Sequence, residues 1–252
     1  MLEVVSVTKR FGGATVVADV SLGVASGEIV GLIGPNGAGK TTLFNLIAGS
    51  LQPSGGEIRL NGHRVTNEKS YRRMGRGLGR TFQIPRPFCE MTLLENLMTA
   101  AQGQSGERMF ANWIKPGRVA QEERLNVQKA MSLLEFLGLV RLAHESARVL
   151  SGGQRKLLEL GRVMMADPQI ILLDEPGAGV NPSLLEMIID RIAEINRRGV
   201  TVFIIEHNMD LVSRLCRKVF VMAAGTILFE GTPAAAVNQP AVVDAYFGGG
   251  LQ

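Results

Sequence analysis

Gly34-Pro35-Asn36-Gly37-Ala38-Gly39-Lys40-Thr41-Thr42 follows directly on the run Glu28-Ile29-Val30-Gly31-Leu32-Ile33. That order predicts a strand, a glycine-rich loop and a helix, with the G-x-x-x-x-G-K-T spacing of a triphosphate cradle. Glycines let successive backbone N–H groups converge on phosphate oxygens where a side chain would block the approach. The helix expected from Lys40 to about Ala48 turns its N-terminus, and its partial positive charge, toward the same phosphates. Lys40 can reach the β- and γ-phosphates, and Thr41 offers a hydroxyl to Mg²⁺. The stretch implies a nucleotide site for ATP or GTP.

Composition narrows the setting. A hydrophobic share of 46% with only 5% aromatic residues favours an aliphatic core of the kind buried parallel sheets prefer. No stretch reaches the length of a membrane-spanning helix. The opening Met1-Leu2-Glu3-Val4-Val5 reads as a strand rather than a secretory leader. Cys89 and Cys216 lie far apart, without metal-ligand spacing, and read as free thiols. Together these place the chain in the cytoplasm. The net charge is +4, and Lys69, Arg72, Arg73, Arg76 and Arg80 hold much of the excess. Such a cluster reads as a solvated helix face, or as a patch for nucleic acid or anionic headgroups. Only Tyr71 interleaves with it, so a base-stacking platform has little support and no nucleic-acid partner is expected.

Periodicity divides the chain. Val5 to Phe11, Ala14 to Leu22 and Glu57 to Leu60 alternate apolar and polar residues, which predicts antiparallel strands. From about Phe88 to Val149 the pattern becomes helical. Met91 to Ala101 forms one candidate helix; Val127, Ala130, Met131, Leu134 and Leu137 share a face of the longest. Gly103 to Glu107 reads as a loop, and Met109 to Ile114 as a short amphipathic piece. From Ile170 onward strand and helix alternate: strands at Ile170–Leu173, Thr201–Ile205 and Val219–Met222, helices at Pro182–Asn196 and Met209–Cys216. This predicts an α/β fold with a parallel sheet covered by helices.

Asp174-Glu175 closes the strand Ile170-Ile171-Leu172-Leu173 and precedes Pro176. An Asp-Glu pair is usually surface charge, but at the carboxyl end of a buried parallel strand it faces the ligand region. Asp174 suits a divalent ion that also binds triphosphate. Glu175 can polarise the water that attacks the γ-phosphorus. Leu150-Ser151-Gly152-Gly153-Gln154 opens another helix. Ser151 and Gln154 have capping-box spacing, and the two glycines leave that helix end bare enough to meet a phosphate.

Taken together, these motifs and their order resemble the ATP-binding subunits of ABC transporters over residues 1–247. The resemblance implies a P-loop NTPase cassette with an antiparallel β subdomain and an inserted helical subdomain. The core is expected at about 1–85 and 151–247, the helical part at 86–150, and a flexible tail at 248–252. It implies ATP and Mg²⁺ as ligands and an ATPase that works as a head-to-tail dimer, each subunit's Ser151 and Gly153 closing over ATP held by the other. Gln83, in Arg80-Thr81-Phe82-Gln83, matches the glutamine that senses Mg²⁺ and the attacking water; His207 matches the histidine at the γ-phosphate; Phe11 stands where an aromatic stacks on adenine.

The D-loop position, Gly177-Ala178-Gly179-Val180-Asn181-Pro182, carries Asn181 where many members carry Asp. That choice, with Phe11-Gly12-Gly13, Glu206-His207-Asn208-Met209 and Asp244-Ala245-Tyr246-Phe247-Gly248, is similar to the branched-chain amino acid importers and to relatives that take urea or short amides. The implied partners are a second ATPase subunit, identical or paralogous, multi-spanning permeases and, indirectly, a solute-binding protein. The implied location is the cytoplasmic face of the membrane. Ile84 to Phe88, extending to Glu90 and Met91, is the expected permease contact. An ABC exporter ATPase and an ABC ATPase acting on nucleic acid are the rival readings. The single cassette, without a zinc or coiled-coil insert, weighs against the second, and Asn181 against the first.

Overall fold

The computed structural model describes residues 1–81, 85–103 and 116–247. The chain forms two compact units, Met1–Gln83 with Gln169–Ala178 and Ile188–Gln252, and Ile84–Pro168 with Gly179–Met187.

The first unit holds two sheets. Strands β1 (Leu2–Phe11), β2 (Ala14–Val24), β4 (Gly55–Leu60) and β5 (His63–Arg64) make an antiparallel sheet in the order β2-β1-β4-β5. The predicted alternation appears here as a sheet with one apolar face, where Leu2, Val4, Val7, Val17, Val20, Ile58 and Leu60 are buried. The second sheet runs β10-β9-β3-β8-β7-β6, with β3 (Ile29–Ile33), β6 (Leu78–Arg80), β7 (Ile170–Asp174), β8 (Thr201–Ile205), β9 (Lys218–Ala223) and β10 (Thr226–Gly231). All neighbours in it are parallel except β9 and β10. Every residue of β3, β7 and β8 is buried, as expected of strands covered on both faces. Both sheets and the helix Lys40–Ala48 share one core, in which the Phe44 and Phe203 rings lie 5.0 Å apart.

Strands β6 and β10 and the short helix Ser70–Met74 were not anticipated. Leu78-Gly79-Arg80 carries no β-branched residue and is too short to show a period, yet β7 pairs it in register from Leu78–Ile170 to Arg80–Leu172.

The second unit contains the helices Leu93–Met98, Pro116–Phe136 and Gly152–Met165, which pack on one another. Thr92 caps the first through a capping box with Glu95. Leu93, Leu97, Ala130, Leu134, Leu137, Leu157 and Leu158 are buried in this unit, and Lys129 Nζ donates to the Met165 carbonyl at 2.8 Å. The expected loop at Gly103 to Glu107 is described only at its first residue. The piece Met109 to Ile114 and the tail 248–252 lie outside the described residues.

The basic cluster is not one solvated face. Arg73 is fully buried and donates to the carbonyls of Leu46, Ile47, Thr66 and Glu68 at 2.6–3.0 Å. Burial pulls its pKa down to about 10, with Glu68 opposing. Arg76 is exposed and forks onto Glu68, while Arg80 is mostly buried beside Asp174. Helical spacing pointed to a shared face, but backbone carbonyls at the end of the neighbouring helix recruit Arg73 inward. Replacing Arg73 by Ala leaves buried acceptors unsatisfied, at a cost of roughly 1–3 kcal/mol for each one not rescued by water. Urea unfolding of wild-type and Arg73→Ala chains is expected to show a loss of about 3 kcal/mol or more.

Candidate active site

Parallel strands deliver their loops to one edge of the sheet. Here the row Leu32, Ile205 and Asp174 runs straight across β3, β8 and β7. The Gly34–Thr42 loop, Glu206-His207 and Asp174-Glu175 therefore emerge side by side.

The glycine-rich loop is shaped by close backbone contacts. At Gly34 (φ 147°) a Cβ would stand 2.0 Å from the Met222 carbonyl oxygen, and at Gly39 (φ 100°) 2.6 Å from that of Val16. Neither position admits another residue. Gly39 is the N-cap of the helix Lys40–Ala48 and brings no capping side chain, so that helix end presents backbone donors. Lys40 is buried, and its Nζ donates to the Gly34 and Pro35 carbonyls, both at 2.8 Å. Burial lowers its pKa, opposed by the charges of Glu175 and Asp174. Pro35 and Thr42 are partly exposed, Asn36, Gly37 and Thr41 exposed, and Ala38 buried.

Asp174 is 4% exposed, and burial raises its carboxyl above the ordinary range while Arg80 pulls the other way. One carboxylate oxygen lies 3.5 Å from Arg80 Nη2; Arg80 Nη1 in turn donates to Asn45 Oδ1, on the Lys40 helix, at 2.7 Å. The other oxygen, Oδ1, is buried with no hydrogen-bond partner among the described residues. An unpartnered hard anionic donor is what Mg²⁺ selects. No cluster of three or more His, Cys, Asp or Glu that could hold a metal occurs among the described residues. The donor set therefore fits an ion shared with phosphates and water rather than a protein cage.

Glu175 takes up a left-handed backbone (φ 49°), which costs a non-glycine residue energy and must be held from outside. Its N–H donates to the Ile205 carbonyl at 2.9 Å, and its carboxylate meets His207 Nε2 at 2.9 Å. Next to His207, Glu206 is 2% exposed and its carboxylate accepts three backbone N–H groups, from Gly177, His207 and Asn208. Sequence reading passed over Glu206. Its one signal is a carboxylate directly after the strand Thr201-Val202-Phe203-Ile204-Ile205, a place where an acid must find donors. Tyr246 was likewise missed as a site neighbour: the helix Pro240–Phe247 brings it, 39% exposed, to the Gly34 backbone, and its partial burial raises its pKa while that backbone opposes the rise.

The remaining expected positions are Gln83, Phe11, Ser151 and Gly153. Gln83 is outside the described residues. Phe11, at the end of β1, is 46% exposed with Lys9 Nζ 5.0 Å over its ring. In the second unit Ser151 caps the helix Gly152–Met165 by a reciprocal capping box with Gln154. A Cβ at Gly153 would strike Leu184 Cδ2 at 2.1 Å, whereas one at Gly152 would meet nothing within 4 Å. Asn181 Oδ1 accepts from the Leu184 N–H at 2.9 Å and the Ser183 hydroxyl at 3.0 Å, so it caps the helix as Asp would.

The sequence model of the family described as "ABC transporter" matches residues 17–178. The chain belongs to the ABC transporter family. As a member it is an ATP-hydrolysing subunit. The probable branched-chain amino acid transport ATP-binding protein LivG of Archaeoglobus fulgidus is 41% identical over 248 residues, covering 98% of this chain and 95% of that one. The high-affinity branched-chain amino acid transport ATP-binding protein BraF of Pseudomonas aeruginosa is 40% identical over 249 residues, covering 98% of both. Among solved structures, a nucleotide-free ATP-binding cassette from an ABC transporter superposes with a TM-score of 0.85 at 37% identity over 98% of each chain. The α/β cassette with its antiparallel β sheet thus stands as expected. Among the described residues no helix is long and apolar enough to cross a membrane.

Lys40→Ala removes the one cation at the centre of the glycine-rich loop. A titration with fluorescent ATP is expected to show affinity at least about 10-fold weaker; unchanged affinity would contradict the cradle.

Proposed function

We propose that this ATPase powers the import of branched-chain amino acids, or of a related small polar solute, from the cytoplasmic face of the membrane. The observation that carries the reading is the Glu175–His207 pair, with oxygen and nitrogen 2.9 Å apart, beside the glycine-rich loop and Asp174. The import assignment is supported by the names of the relatives and by their coverage of 98% of the chain.

In this reading Gly34–Thr42 hold the triphosphate of ATP, and Lys40 leaves its two carbonyls for the phosphate oxygens. Bound Mg²⁺, held through Asp174 and Thr41, supplies charge neutralisation on the phosphates. Glu175 accepts the proton of the attacking water, and His207 orients Glu175 and the γ-phosphate oxygens. Gln83 is assigned the role of sensing ion and water, and Phe11 supplies a face for the adenine. Ser151 and Gly153 close over the nucleotide of a second ATPase subunit, so that the assembly is a head-to-tail dimer on permease subunits. In the proposed permease contact, Phe88 is 48% and Met91 38% open to solvent, while Pro85 and Pro87 are partly buried.

A purified Glu175→Gln chain is expected to bind ATP and to hydrolyse it at least ~100-fold more slowly, the usual share of a general base. Near-normal turnover removes Glu175 from the mechanism. The solute is tested separately, by uptake of labelled leucine, isoleucine and valine in cells lacking the chain, with urea as the competing cargo. Normal leucine, isoleucine and valine uptake alongside lost urea uptake overturns the amino acid assignment.

A further inference from the structure

We infer that Glu206 is a positioning residue for hydrolysis, the brace that fixes Glu175 and His207 at their working distance; the inference rests on the catalytic reading of that pair. Glu206 directly follows a strand in which every residue is buried, and it is itself 2% exposed. A carboxylate in such a place is retained only if donors surround it. The donors here are all backbone N–H groups, and they come from two different loops. Oε1 accepts from Gly177 at 2.7 Å; Oε2 accepts from His207 at 2.9 Å and from Asn208 at 3.1 Å.

The first of these loops is the turn that carries Glu175. It closes through the Ala178 N–H donating to the Glu175 carbonyl at 3.2 Å, and Glu175 itself sits at φ 49°. A turn built on a strained residue relaxes unless it is tied down at more than one point. Two of its ties are the Glu175 N–H on Ile205 and the Gly177 N–H on Glu206. The second loop carries His207, and Asn208 ends it by capping the helix Met209–Leu215 through its own side chain. One buried carboxylate therefore clamps both loops, and the two side chains they present meet at 2.9 Å. Glu206 has no route of its own to the reacting atoms, so its effect must pass through the residues it holds.

The two possible substitutions divide the clamp. Glu206→Gln keeps the shape but turns an amide N–H₂ against N–H donors on one side. Glu206→Asp keeps both acceptor oxygens and still reaches the adjacent His207 and Asn208 N–H groups, but one methylene fewer takes it away from Gly177, 29 positions distant in sequence. Displacements of about 1 Å in a catalytic group cost on the order of 100-fold.

The test measures ATP affinity and single-turnover hydrolysis on the purified full chain as wild type, Glu206→Gln, Glu206→Asp, His207→Ala, Glu175→Gln and the double variant Glu206→Gln/His207→Ala. Expected are ATP affinities within ~2-fold of wild type for both Glu206 variants, turnover down ~10- to 100-fold in Glu206→Gln, and a smaller loss in Glu206→Asp. In the His207→Ala background, Glu206→Gln should cost less than it does in wild type, because the share that acts through His207 is already lost and only the share through the Glu175 turn remains. Wild-type turnover in Glu206→Gln overturns the inference, as does the same fold-loss with and without His207, or a loss of ATP affinity equal to the loss of turnover. If Glu206→Gln fails to fold, Glu206→Asp carries the decision: reduced turnover at unchanged affinity supports the brace, and unreduced turnover overturns it. Full turnover in Glu175→Gln would instead sink the catalytic reading, a result distinct from any failure of Glu206.

Discussion

The site depends on the parallel pairing of β3, β8 and β7. Strands that run the same way end on the same side, and the row Leu32, Ile205 and Asp174 fixes how far each extends. Because these strands are buried on both faces, alternation does not set their register. The ends set it instead. A slip of β3 by one residue would move Gly34 off the Met222 carbonyl that only a glycine can approach, and a slip of β7 would draw Asp174 away from Arg80. Fold and chemistry are thus constrained by the same few terminal residues.

Those residues carry charges into a dry place, and each charge has a different neighbour. Lys40 rests on two carbonyls, Glu206 on three N–H groups, and Asp174 on Arg80 through one oxygen alone. A buried oxygen left without a donor costs about 1–3 kcal/mol. Asp174 Oδ1 stands in that state among the described residues, and the left-handed Glu175 next to it is strained as well. Both costs fall on adjacent residues at the strand end nearest the phosphate loop. In the function proposed above, that is where destabilisation has a use, since a bound ion would supply the missing partner and a fixed turn would aim the carboxylate.

The sequence made the long, regular and chemically unusual parts of this arrangement visible. The glycine spacing at 34–39 exceeds what a plain strand-to-helix turn requires, and the apolar runs Ile170–Leu173 and Val202–Ile205 have the make-up of buried strands. What escaped was decided by tertiary partners. Leu78-Gly79-Arg80 becomes a strand only because β7 offers an unpaired edge. Glu206 was hidden by its neighbour: His207 drew the reading, and a carboxylate whose ligands are all main-chain atoms leaves no complementary side chain to find. Tyr246 is about two hundred residues from Gly34 in the chain, a contact that periodicity does not encode.

The basic cluster teaches the same lesson and adds a mechanical point. Arg73 grips the carbonyls of Leu46 and Ile47 at the C-terminal end of the helix that begins at Lys40, where a cation also complements the helix dipole. Arg80 holds the middle of that helix through Asn45 and joins it to Asp174. Two of the arginines that looked like surface charge are therefore spent on a nine-residue helix inside the first unit. A helix so short would fray if it rested on its own hydrogen bonds. Anchored at its end and its middle, it keeps the N–H groups after Gly39 aimed in a fixed direction before any phosphate arrives. Electrostatic stabilisation is strongest when donors need no reorganisation at the moment of reaction. Charge that a reader of composition assigns to an outside partner is, in this fold, what makes the nucleotide loop rigid.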